Sequence, residues 1–300
     1  MASYDAPADS ARGIDSSAIP VVALPRRPFK RHFRTAFLAL AIGWLVLIVM
    51  LALLAPLLPI PESDAGGFGV AKKPFEDRFL GTDQLGRDML SRLVYGARMS
   101  FLIAGASISL ALSIGVAVGL WAGYVRGKLE TVVTAVADII LAFPGLVLLM
   151  VVAALLGASP RNLIFAITIL QVPTFIRLAR ASTISVANRE FVLAAKGSGA
   201  GTMRIAALEI LPNVLPTLTA YALAATARVF VIEGSLSFLG LGIQPPTPAW
   251  GSMIAAGRPQ LVAAPHIVLI PAISLFATVL SFNALADARR DSGRPSRLIG

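Results

Sequence analysis

No cysteine occurs in the 300 residues, so the chain carries neither disulfides nor thiolate chemistry, and its redox compartment leaves no trace in the sequence. Histidine is nearly absent as well. His32 and His266 stand alone, no His or carboxylate cluster has metal-ligand spacing, and both are read as interfacial side chains. Charged residues make up only 14%. Their balance is basic, at +10, yet Lys and Arg fall between apolar runs and form no basic face interleaved with aromatics, which argues against nucleic acid. A complete phosphate loop is missing too. Gly123 to Lys128, GYVRGK, is a residue short and is followed by Leu129 rather than Ser or Thr, so no ATP site is expected in this chain. No signal-peptide core precedes the first long apolar run, and that run lacks a small-residue cleavage site. A secondary transporter built from two repeated halves is disfavoured, because no internal repeat is found. A membrane-embedded enzyme is disfavoured because only the scattered Asp138, Arg228 and Glu233 lie within apolar runs.

What is present is apolar sequence. At 56% hydrophobic residues the composition is that of a polytopic membrane protein, and the expected fold is all-α with six transmembrane helices. Residues 1–30 are polar, without apolar periodicity, and are read as a disordered cytoplasmic tail. Arg26, Arg27, Lys30, Arg31 and Arg34 then precede a first span at 36–58, which places its N-terminus inside. Residues 59–99 are expected outside. Within them Leu85, Met89, Leu90, Leu93 and Val94 recur at helical spacing opposite Arg87, Asp88, Ser91 and Arg92, which predicts an amphipathic surface helix ending near Gly96, with Asp88 and Arg92 paired. These elements, 31–100, precede a core of five helices at 101–288.

The second span is expected at 101–124, where Ser107, Ala111, Gly115, Gly119 and Gly123 form a stripe small enough for close helix approach. The third is placed at 130–156 with Pro144 and Gly145 midway, and the fourth at 163–183, interrupted by Gln171 and Pro173. The fifth is expected at 213–233 and the sixth at 266–287 around Pro271. Between these two lies an external loop containing Trp250. Arg289, Arg290, Arg294 and Arg297 hold a cytoplasmic tail, 289–300, so both termini are expected inside. Prolines within spans predict kinked helices lining a pathway. Asp138, Pro144, Arg228 and Glu233 are the translocation-path candidates.

The stretch REFVLAAKGSGAGTMRIAALEILPNVLP, Arg189 to Pro216, interrupts this lipid-like pattern with charge and glycine. Residues 190–196 can form a short helix. Gly197, Gly199 and Gly201 permit a sharp turn, and residues 203–210 a second helical piece. Leu193-Ala194-Ala195, three residues, Gly199, nine residues, Glu209-Ile210-Leu211-Pro212 resembles the coupling loop of ATP-binding-cassette importer permeases. Leu193 stands in place of that pattern's glutamate and Glu209 in place of its isoleucine. GTDQLGRDMLSRLVYGARMS at Gly81, DIILAFP at Asp138 and SLSFLGLGIQPPTPAWGSM at Ser235 are similar to the dipeptide/oligopeptide branch of that family.

The resemblance implies the type I importer permease fold, with a coupling loop at about 186–212 that docks on a cytoplasmic ATPase. Its expected coupling residues are Glu190, Phe191, Ala194, Ala195, Lys196, Gly199 and Arg204. It further implies a bacterial cell-membrane location, a sister permease, two ATPase subunits that bind ATP and magnesium, and an external solute-binding protein. Substrates of the branch include dipeptides, oligopeptides, glutathione-like peptides, nickel chelates and some modified sugars.

Overall fold

The computed structural model describes residues 31–292. The expected tail at 1–30, and Arg294 and Arg297, lie outside them. Helix α1 (Arg31–Leu54) runs into a 3-10 turn, Ala55–Leu57. A long non-helical segment follows, and then α2 (Met89–Val125), α3 (Lys128–Ala142), α4 (Gly145–Leu156) and α5 (Pro160–Ala187). The short α6 (Glu190–Gly197) precedes α7 (Thr202–Arg204), which a π-helical stretch, Ile205–Ile210, joins to α8 (Leu211–Phe238). Last come α9 (Trp250–Gly257) and α10 (His266–Ser292). No strand forms among the described residues.

Among the described residues, five helices are long and apolar enough to cross a membrane: those over residues 34–57, 89–125, 160–187, 202–238 and 266–290. The pair α3–α4 passes the same test only together, and it is bent by 82°. Proline sets this bend. The residue before a proline is pushed out of the α region, and Phe143 is extended at φ −78° and ψ 135°. Helix direction shows what the pair does. Ser107 meets Ile164, Gly115 meets Phe175 and Gly123 meets Thr183, so α2 and α5 run parallel. The chain must therefore return across the bundle between them, and α3–α4 is that crossing. With that pair counted as one span, the described residues hold six candidate crossings, all helical.

Elsewhere the prolines do not interrupt the helices. Helix α5 continues through Gln171 and Pro173, α8 through Pro216 and α10 through Pro271. The fifth crossing is also longer than the expected 213–233, because the π-helical stretch keeps 202–238 continuous. A π turn inserts a residue into the helical repeat and so rotates the face that follows.

The expected surface helix is corrected by the packing. From Met89 onward its residues are the opening turns of α2, which passes Gly96 without a break, while Leu85 to Asp88 form the turn and cap before it. The supposed solvent face is buried: Ser91 donates to the Pro61 carbonyl at 2.6 Å, and Arg92 to that of Ser63 at 3.1 Å. Nor do Asp88 and Arg92 form an ion pair. Asp88 caps α2 by accepting from the Ser91 amide at 2.8 Å, and Arg92 meets Asp83 at 3.4 Å. Trp250, expected in an exposed loop, is fully buried. It stacks near Phe230 and donates to the Leu93 carbonyl at 3.0 Å. Gly96 is where this ring sits, since an added Cβ would lie 3.2 Å from Trp250 Cδ1.

The small-residue stripe does what its spacing predicts, and the α2–α5 pair is the most extensive helix contact in the fold. At Gly119 an added Cβ would stand 2.5 Å from the Ile176 carbonyl oxygen and 2.8 Å from Ala179 Cβ. Gly119→Ala is accordingly expected to destabilise the purified chain by ~1–3 kcal/mol through overpacking. Gly105→Ala, where the added atom meets nothing within 4 Å, should be neutral or slightly stabilising. Thermal unfolding of both variants in one detergent checks this, and equal melting temperatures would remove the α2–α5 seam as a determinant of stability.

Candidate functional site

The polar interruption folds as a small, separately capped helix beyond the end of α5. Helix α5 stops at Asn188, and Arg189 turns the chain through an extended conformation, φ −79° and ψ 151°, into α6. Glu190 lies in its first turn and Lys196 in its last, each sign at the end the helix dipole favours. The C-terminal stop is a complete Schellman closure. The Gly199 amide donates to the Lys196 carbonyl and the Ala200 amide to that of Ala195, both at 3.1 Å, with Gly199 at φ +80°. Of the three turn glycines only Gly199 takes the left-handed conformation; Gly197 ends the helix, and Gly201 is extended at φ −68°.

Two faces of α6 differ sharply. Val192 is buried, with Ala195 half-buried one turn on, and both pack into a cluster containing Leu120, Val186, Ile205, Ile210 and Val214. That cluster joins the ends of α2, α5 and α8. Helix α6 is therefore packed against the ends of three long helices. The opposite face is exposed and mixed: Glu190, Phe191, Leu193, Ala194, Lys196 and Gly197. Phe191 and Leu193 are 38% and 56% exposed among the described residues. Small Ala194 and Gly197 between them leave room for a neighbouring surface to approach.

The structure thus brings Glu190, Phe191, Ala194, Ala195, Lys196 and Gly199 together on one short helix and its cap. Arg204 is exposed on α7, just past the turn. Leu193 lies on the outward face and Glu209 is half-buried in the π turn, so neither departure from the motif disturbs the inner packing.

The path candidates do not gather. Asp138 on α3 pairs with Arg177 on α5, both half-exposed, while Glu130 accepts from Arg180 Nε at 2.8 Å; the two pairs tie the broken crossing to its neighbour. Pro144 sits at the break itself. Glu233 is buried in the core, accepting from Ser100 Oγ at 3.0 Å and Ser237 Oγ at 2.9 Å, and so pins α2 to α8. Arg228 is exposed on α8, its guanidinium 4.9 Å from the Tyr221 ring, which in turn packs edge-on against buried Phe175.

Sequence reading missed a polar knot at the far end from α6. One oxygen of Asp83 accepts from the Leu85 and Arg87 amides at 2.8 and 2.9 Å, and the other from Arg87 Nε at 2.7 Å. Adding Arg92, and His266 against the Thr82 carbonyl at 3.3 Å, this knot binds the long segment after α1 to α2 and α10. An Asp two residues before Leu85 and three before Gly86 is an Asx-turn signal that was available in the sequence.

Residues 115–290, from the small-residue stripe through α6 and α8 to the end of α10, match the family described as "Binding-protein-dependent transport system inner membrane component". The chain belongs to this family. It is a multi-pass permease subunit of the ATP-binding-cassette importer class, dipeptide/oligopeptide branch. Among its relatives is a glutathione transport system permease protein of Pectobacterium atrosepticum, 34% identical over 91% of this chain and 92% of the relative. A di/tripeptide transport system permease protein of Pseudomonas aeruginosa is 37% identical over 84% and 86%. A dipeptide transport system permease protein of Alkalihalophilus pseudofirmus is 37% identical over 85% and 86%.

Proposed function

We propose that the permease carries dipeptides, oligopeptides or closely similar solutes such as glutathione into the cell, driven through α6 by a cytoplasmic ATPase. The observation that carries the reading is the two-faced α6. Its inner face is locked into the bases of α2, α5 and α8, and its outer face is small, partly apolar and uncovered. A helix built so can take a push from a partner and pass it to the crossings. ATP and magnesium belong to two ATPase partners, which seat Phe191, Ala194 and Lys196 in a groove. A sister permease completes the pore, and an external binding protein delivers substrate. Two relatives named for peptides and one for glutathione support the substrate class, and nickel chelates are the alternative.

The α6 end then faces the cytoplasm, with both termini, and α9 lies outside. In the naturally cysteine-free chain, Val262→Cys should react with an impermeant thiol reagent in intact cells and Lys196→Cys should not. Val262 is chosen because it is 98% exposed, whereas Trp250 is buried. The opposite labelling pattern reverses the topology.

Coupling is tested at the cap. A branched side chain at the left-handed Gly199 costs ~1–2 kcal/mol locally and frays the end of α6, while an added Cβ meets nothing within 4 Å, so the chain still folds. Gly199→Val should leave insertion unchanged, while stimulation of the assembled complex's ATPase by loaded binding protein falls at least several-fold. Normal stimulation with normal uptake removes α6 from the coupling path.

Arg228 is the substrate-facing candidate. Its guanidinium is exposed, rests on Tyr221 and has no carboxylate partner among the described residues, a costly arrangement in lipid and a useful one beside a water-filled path. It attracts the carboxylate of a peptide-like solute. Arg228→Gln should lower uptake of a free-carboxylate peptide several-fold more than that of its amide, given equal binding of both to the external protein. Equal losses make Arg228 a subunit or lipid contact instead.

A further inference from the structure

The end of the bundle far from α6 holds a second concave site. It is a pocket of about 360 Å³ between the opening turns of α2, the segment after α1 and the loop that leads into α9. Tyr95, Arg98, Met99 and Leu102 supply its α2 wall, at the i, i+3, i+4 and i+7 spacing of one helix face. From Arg98 to Leu120, a member of the α6 cluster, α2 extends ~33 Å at ~1.5 Å per residue. The two sites are thus separated by the full depth of a hydrocarbon layer roughly 30 Å thick.

Buried bonds fix the other two walls. Ser91 and Arg92 of α2 donate to the Pro61 and Ser63 carbonyls at 2.6 and 3.1 Å, which sets Asp64 in the lining. The loop is anchored at both ends. Ile243 is buried, and its amide donates to Ser237 Oγ at 3.3 Å. That hydroxyl donates to Glu233, which also accepts from Ser100 of α2, so the buried carboxyl holds this end of the loop in place. At the other end Ala249 and Trp250 are buried, with the indole on the Leu93 carbonyl. Pro246, Thr247 and Pro248 stand between these anchors as the third wall.

The pocket carries one charge of each sign. Arg98 and Asp64 both line it and both are exposed, and among the described residues neither side chain has an ion pair or hydrogen bond, even with the other. Asp64 lies within electrostatic reach of Arg92, but that guanidinium is buried and already meets Ser63 and Asp83. The rest of the lining is apolar or neutral. A purely anionic ligand would suit Arg98 and be repelled by Asp64, and a cation the reverse. A ligand bearing both signs, with an uncharged middle, suits both walls.

We propose that this pocket is an entry subsite for a short zwitterionic peptide, with Arg98 receiving its carboxylate and Asp64 its ammonium. It rests on the transport of peptides proposed above and adds which residue takes which terminus. A guanidinium offers a carboxylate two parallel charge-assisted bonds, and a carboxylate accepts from an ammonium in the same strong class. The volume lies at the lower end of the ~300–1,000 Å³ common for small-molecule sites, as a short peptide requires.

The test is equilibrium binding of labelled alanyl-leucine to the assembled transporter without its external binding protein, beside the C-terminal amide and the N-acetyl form. The zwitterion should bind about tenfold tighter than either blocked form, the size expected of one charge-assisted bond. Arg98→Gln should bring the zwitterion and the amide to parity while the preference over the N-acetyl form remains, and Asp64→Asn should do the reverse. Arg98→Lys and Asp64→Glu should keep most of each preference, and Leu102→Trp should weaken all three ligands by filling the pocket. Melting temperatures confirm that each variant folds. Equal binding of the three forms to the unaltered transporter overturns the proposal, as does an unchanged preference in either neutral variant. Uptake of alanyl-leucine, trialanine and glutathione is measured in parallel. Uptake of any of them, without terminus-selective binding, removes the subsite and leaves the peptide reading standing; uptake of none removes both. If the neutral variants instead weaken only the docking of the external binding protein, a protein fills the pocket and the peptide assignment falls. Retention of phosphatidylethanolamine that both neutral variants abolish, with no peptide bound, overturns it in favour of a lipid headgroup.

Discussion

The close approach of α2 and α5 is the constraint on which the rest of the molecule depends. At Gly115, Gly119 and Gly123 the backbone of α5 fills the space where side chains of α2 would otherwise stand. Lipid offers no hydrophobic driving force between helices, so association rests on van der Waals contact that only small residues allow over such a length. Because α2 and α5 run parallel, the intervening chain must cross back between them in a short distance. Helix α3 leaves immediately after the Arg126–Gly127 turn, and the return path through α4 is bent at Pro144. The break thus follows both from local proline chemistry and from the topology imposed by the parallel pair.

At the opposite ends of this pair the fold uses different means. Away from α6, polar groups join the elements: Asp83 organises its own turn, holds Arg87 and Arg92, and fixes the segment after α1 across the top of α2. Trp250 then closes the bundle beneath it, sharing a hydrogen bond with α2 and ring contact with α8. Ion pairs this buried contribute little net stability, since desolvation offsets attraction, but losing one partner leaves a buried charge. Such a knot specifies register more than it adds stability. At the α6 end the joint is apolar instead, made by Val192, Ile205, Ile210 and Val214. Apolar contact is tolerant of small sliding motions, which suits a joint proposed to move.

Much of this was legible in order. The apolar runs, the charges between them and the glycine-punctuated loop located the crossings and α6, and the stripe on α2 announced a close helix contact. Gly199 was legible because a left-handed turn residue leaves few alternatives. Helix ends were less so. The amphipathic pattern at 85–96 has the period of a surface helix, and nothing local tells a polar face turned to water from one turned to a buried Asp83 and two backbone carbonyls. Trp250 was misplaced for the same reason, because an aromatic in a Pro- and Gly-rich segment suits an interface as readily as a core.

Composition and periodicity by themselves determined that this chain is an all-helical membrane protein with a polar, presented loop, since hydropathy and charge act residue by residue. The tertiary structure alone decided which residues meet. It placed Glu233 between two serines in the core and Arg228 on the surface, although both lie on one apolar helix five residues apart. Five residues at ~3.6 per turn separate their directions by roughly 140°, but which direction is inward depends on where α2 and α10 pack. When a span is apolar around its whole circumference, its own sequence carries no inside and outside, and only its neighbours supply them.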